Sequence, residues 1–171
     1  TPSPSLSPFH EGEKRLQAQV GVAERMESFG RRVIRNHMPQ QHQDFYRQLP
    51  FILLGAVDAD GRPWASLMEA NAGFAHATDD KHLALDAQLA ADDPVAATLG
   101  EGAAIGLLGI ELQSRRRHRL SGRIQRDDGS ISVAVEHAFG NCPQYIAMRE
   151  PRFVTDPGAF QRQQEEEIGR A

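Results

Sequence analysis

The spacing of hydrophobic positions changes character at Pro50. Before it, Leu16, Val20, Ala23, Met26, Phe29, Val33 and His37 recur at intervals of three and four, which predicts helix over Glu11 to about His37. Gly21 and Gly30 weaken a single unbroken helix, and Met38-Pro39 stops it. A second short helix, Gln41 to Gln48, presents His42, Phe45 and Leu49 on one side. After Pro50 come short apolar runs of strand type. FILLGAV (51–57), the turn Asp58-Ala59-Asp60-Gly61 and WASLMEA (64–70) predict a hairpin. Residues 71–80 read as loop, and HLALDA (82–87) as a third strand. Asp92-Asp93-Pro94 starts a short helix through VAATL, with Asp as cap. AAIGLLGIEL (103–112), RRRHRLSGRI (115–124) and SISVAVEHAF (130–139) complete the strands, the last two joined at Asp127-Asp128-Gly129. Gly140 to Pro143 ends the last strand, and QYIAMRE is expected to begin a closing helix. Six strands joined largely by hairpins, with helices at both ends, make an antiparallel barrel or sandwich.

Length and charge narrow the classes. The 171 residues suit one domain. Residues 1–10, opening TPSPSLSP, read as a flexible leader; 11–148 as the β domain with its N-terminal helices; 149–171 as a helical, acidic tail containing Glu165–Glu167. The abrupt end at Ala171 suggests a link to a further domain. No apolar run approaches the roughly 20 residues of a membrane span, and no signal peptide is visible. The single Cys142 allows no internal disulfide or multi-cysteine zinc site, and the histidines are scattered, so no metal is expected. A bacterial cytoplasm is the simplest compartment. Dinucleotide, P-loop and nucleophile-elbow fingerprints are missing from the sequence.

The net charge of −4 hides a local excess. Arginine supplies 17 of the 19 basic residues, and six lie between Arg115 and Arg126 with no acid among them. In a strand, Arg115, Arg117, Arg119 and Arg123 share one face, opposite Arg116, His118, Leu120 and Ile124. Such a face is either a solvated or charge-protected strand or an anion site, since the guanidinium fork donates two parallel hydrogen bonds to a phosphate. Nucleic acid would want interleaved aromatics, which the run lacks, so a small phosphate-bearing cofactor fits better. Trp64 reads as core or as a ring-stacking residue beside the hairpin turn.

The order of elements, with SPFHEGE (7–13), GRPWASL (61–67), IGLLGIEL (105–112), RRRHRLSGR (115–123) and FGNCPQYI (139–146), resembles an uncharacterised bacterial branch of the pyridoxamine 5′-phosphate oxidase-like family. The resemblance covers about residues 7–148. It implies a mainly β fold with flanking helices, a six-stranded antiparallel split β-barrel, that forms a homodimer with FMN between subunits. The cofactor would lie along the second strand and its preceding turn, here Arg62, Trp64, Ala65, Ser66 and Leu67. The family's phosphate-binding cations after the third strand are replaced here by Gln88, Leu89 and Ala90. Arg116 and Arg117 are therefore expected to hold the phosphate, from the same or the partner subunit. Asn141 and Gln144 would reach the ring or the partner, although Asn141 also suits a helix cap. The tail EEEIGRA lacks the Arg- and His-containing substrate segment of the vitamin B6 oxidases. Some relatives in this branch precede a second barrel or a reductase module. The expected function is an FMN-dependent oxidoreductase of unknown substrate. A degenerate barrel kept for dimerisation or docking is the alternative, and a haem-binding barrel using His118 is a second.

Overall fold

The computed structural model describes residues 7–127 and 130–150. The first six residues of the leader, the tail from 151 onward and the turn residues 128–129 lie outside the described residues. Three helices precede the sheet: α1 (Glu11–Gln19), α2 (Ala23–Val33) and α3 (Gln40–Arg47). The first expected helix is thus two, broken where Gly21 takes a φ of 70°. His10 starts α1: its Nδ1 accepts from the Gly12 and Glu13 amides, and Glu13 accepts from the His10 amide. Ahead of it, Ser7 donates to Glu27 at 2.6 Å, and Phe9 packs on Gly30 of α2.

The strands are β1 (Phe51–Val57), β2 (Pro63–Glu69), β3 (Ala75–Ala77), β4 (His82–Leu85), β5 (Ala104–Glu111), β6 (Arg116–Asp127) and β7 (Ser130–Asn141). They form one antiparallel sheet in the order β2-β1-β5-β6-β7-β4-β3. The seventh strand is β3, inside the stretch read as loop; three residues are too few to show an alternation. The short helix after β4 is a single 3-10 turn, Ala96–Thr98, with Asp93 accepting from the Val95 amide at 2.8 Å. The closing helix expected from QYIAMRE does not form: residues 142–150 run as turn and irregular chain.

The sheet curls into the split barrel. β2 and β4 stand five strand spacings apart, about 24 Å if the sheet were flat. Yet Met68 of β2 and Leu85 of β4 line the same cleft and belong to the same buried core. The cleft is therefore the seam where the rolled sheet fails to close by hydrogen bonding. Ile52, Leu54, Leu107, Leu120, Ile124 and Val133 fill the inside. In β6 His118, Leu120, Gly122 and Ile124 face inward and Arg119 and Arg123 are exposed, as the alternation implies, whereas Arg117 is half-buried and Arg115 lies ahead of the strand with a φ of 58°. A bulge at Ser121/Gly122 lets β7 change its inward parity from Val133 and Val135 to Ala138. Gly122 is required there, since a Cβ would sit 2.0 Å from the Ala134 carbonyl oxygen. α3 closes one end of the barrel, its Phe45, Tyr46 and the following Leu49 set over Gly109, where a Cβ would meet Phe45 and Leu49 at 2.7 Å.

Candidate functional site

Three places bear on cofactor binding, and the residues expected to hold the cofactor lie at the first and third or along β2, none of them lining the cleft that is the second. The first is the β1–β2 turn. Asp58 accepts from the Trp64 indole at 2.9 Å, the Arg62 amide and Nε at 2.8 Å and the Asp60 amide at 2.9 Å. Led by the Trp64 bond, these donors hold the Asp58 carboxyl well below the usual carboxylate range. Arg62 also pairs with Asp60 at 2.6 Å. Its charge therefore serves the turn, and its partners fix Trp64, which stays 40% exposed. Trp64 walls an outer groove of about 570 Å³ with Val57, Gly106, Ser121 and Glu136.

The second place is the seam cleft, about 510 Å³. That is within the roughly 300–1,000 Å³ of small-molecule sites. Met68, Leu85, Leu89, Leu99 and Ile131 give it apolar walls, and Asp86, Gln88, Arg126 and Ser130 give it polar groups. Of the β2 residues, Ser66 is buried and donates to Asp93 at 2.6 Å, which ties β2 to the turn after β4. Ala65 and Leu67 alternate to the opposite face. There Ala65, Gly55, Gly106, Ser121 and His137 form one row across five strands. Leu67, Leu53, Leu108, Arg119 and Phe139 form the next.

The third place is the start of β6. Arg117 donates to the Cys142 carbonyl at 3.1 Å, and Arg115 reaches the Pro143 carbonyl at 3.4 Å. Arg116 lies 5.1 Å from the centre of the Phe45 ring, 3.5 Å from the Gln41 carbonyl and 4.0 Å from the Glu111 carboxylate. Asn141 stands opposite Arg117 in register, and Gln144 is exposed. Nine residues of strand, roughly 30 Å, separate Arg117 from Arg126. The arginines at 115–117 do not line the seam cleft; here they brace α3 and the chain after β7.

His118 is 7% exposed, its ring stacked 4.3 Å from Phe45 and set edge-on 4.1 Å from His42. Its ring packs between β6 and the His42 and Phe45 rings of α3. Burial, with His42 and Arg116 nearby, pushes its pKa down to about 4. His42, 3% exposed, is lowered for the same leading reason.

The sequence reading missed Met68, Asp86, Arg126 and Ile131 as cleft residues. Arg126 had a usable signal: it continues the even-numbered, inward parity of Leu120 and Ile124. Nothing in the sequence shows which strand end it meets across the seam, because that depends on how the sheet rolls.

No curated protein matches the chain in sequence. Among solved structures it is similar to Group A Streptococcus HupZ, with TM-score 0.48 and 16% identity, over 66% of this chain and 99% of that one. It is also similar to an F420 reductase, with TM-score 0.41 and 11% identity, over 58% of this chain and 95% of that one. The sequence profile described as pyridoxamine 5′-phosphate oxidase matches residues 38–156, from the entry to α3 past the end of β7. The chain belongs to the pyridoxamine 5′-phosphate oxidase-like family.

Proposed function

We propose that the protein binds a flavin, FMN as the family resemblance implies, in the seam cleft, and works as a flavin-dependent oxidoreductase. One observation carries the reading. The seam brings Met68 of β2 together with Gln88 and Leu89 after β4. Met68 directly follows the segment Arg62–Leu67 along which the family resemblance lays the cofactor, and Gln88 and Leu89 stand where the family's phosphate-binding residues would be; Arg62 and Trp64–Leu67 themselves do not line the cleft. The apolar walls suit an isoalloxazine ring, and the polar rim of Gln88, Arg126 and Ser130 suits a ribityl chain. Such a group supplies two-electron chemistry at its ring. The chain's part is to sandwich the ring, keep water from one side of it, and orient it through the rim. A homodimer belongs to this reading. The outer face exposes Leu67 by 49% and Val57 by 59%, beside Leu53 and Leu108, an apolar surface of the kind that covers a partner.

A degenerate barrel without cofactor has its own support: among the described residues Arg126 is the one cation lining the cleft. An absorption spectrum of the freshly purified protein, with the mass of any released group, separates the readings. Flavin bands and an FMN mass are expected. A Soret band would point to haem instead. A colourless protein that takes up no added FMN would leave the structural barrel.

A further inference from the structure

We infer that the seam cleft grips a flavin by its ring and ribityl chain and gains little from the phosphate, so that riboflavin and FMN bind alike. The inference rests on the flavin reading above and names what that site selects. The charged side chains lining the cleft, among the described residues, are Asp86 and Arg126, which sum to zero. Arg126 is already committed in part: its Nη1 donates to the Leu99 carbonyl at 2.5 Å, and its amide donates to Glu101.

The chain flanking the cleft after β4 adds acid, not base: residues 86–96, DAQLAADDPVA, hold three aspartates and no cation. Asp93 spends its carboxylate on Ser66 and the Val95 amide, which also removes the Ser66 hydroxyl as a donor to a ligand. The arginine cluster with charge enough to compensate lies at the far end of β6, donating to the chain's own carbonyls. A phosphate dianion brought here loses hydration and meets one shared guanidinium beside a carboxylate. The ring meets Met68, Leu89, Leu99 and Ile131, a surface that does not depend on the phosphate.

The test is the affinity of the full chain, freed of bound ligand, for FMN and for riboflavin, read by quenching of flavin fluorescence. A phosphate site making two or three charge-assisted hydrogen bonds would favour FMN by about a thousandfold. The expected ratio is below tenfold. A second variant reads the same point in the opposite direction: Gln88→Lys adds a cation to the lining and should raise the preference for FMN to about tenfold or more. A wild-type preference for FMN above tenfold would overturn the inference while leaving the flavin reading intact. An unchanged ratio in Gln88→Lys would overturn the inference that a missing cation in this lining is what makes the two flavins bind alike. Binding of neither flavin would overturn the reading itself and the inference with it.

Discussion

Two kinds of glycine occupy the strands, and side-chain substitution separates them. Gly122 sits at the bulge, where a Cβ would fall 2.0 Å from the Ala134 carbonyl oxygen, and backbone cannot yield as a side-chain tip can. Gly55 and Gly106 lie opposite each other with nothing nearer than 3.9 Å. Gly122→Ala is therefore expected to lower stability by about 3 kcal/mol, the upper end of overpacking costs. Gly55→Ala should stay within about 0.5 kcal/mol, as surface changes do. Urea unfolding of the two variants checks both; equal midpoints would refute the bulge account. Residue roles were only partly legible in the sequence. Alternation in β6 separated the inward from the outward arginines, because a period of two survives any curvature of the sheet. It could not show that Arg62 would be taken up by Asp58 and Asp60, or Ser66 by Asp93. The first depends on turn geometry, and the second joins residues 27 positions apart.

At the level of elements, α3 is held to the sheet by rings that include two titratable ones. His118 lies between Gly109 and Gly140 in register, which leaves room for the His42 and Phe45 rings above it. Both imidazoles are buried, and each leaves its Nδ1 without a partner. Arg116 and Arg35 add positive charge around the pair, and Glu111 is the buried acid nearby. The folded pKa of His118, about 4, is below its ordinary 6.5, so between those values the unfolded chain binds more protons than the folded one. Stability is then full above pH 6.5 and falls as the pH drops toward 4. A loss of about 2 kcal/mol is expected between pH 7 and 4.5, since one extra proton on the unfolded chain costs ~1.4 kcal/mol for each pH step of one. His118→Phe keeps the stacking and should flatten this slope; urea midpoints across the range give the measurement, and an unchanged slope would remove His118 from the account. The strong hairpins were readable from the sequence because their turns carry the chemistry that makes them: Asp58 to Gly61 is capped by its own aspartate. The break at Gly21 was readable as a weakness but not as a left-handed turn. The helix expected after Pro143 fails where Tyr145 takes a φ of 70°, and Arg115 and Arg117 hold the chain just ahead of it by its carbonyls.

For the whole molecule, the rolling of the sheet decides both faces at once. Inside, it brings β2 against β4 and opens the seam cleft. Outside, it leaves Leu53, Leu67 and Leu108 in one row beside the glycine floor. A monomer in water would gain nothing from that row, and exposed apolar sheet next to an edge strand such as β2 invites association. The proposed second copy gives the row a use, and charge can test it without touching the core. Leu67 points away from the barrel interior, so Leu67→Arg should leave the fold of each barrel intact, read by circular dichroism. Across a two-fold interface the same change places an unpaired charge in both copies. The expected outcome is a dimer for the parent chain and a monomer for the variant, measured by light scattering on a sizing column. If both run as monomers, the outer row has some other role. If the variant stays dimeric, the interface lies elsewhere on the barrel. Flavin uptake by the monomeric variant then reports whether the seam cleft is complete within one chain: retained binding would put the whole site in a single barrel, and lost binding would assign part of it to the partner.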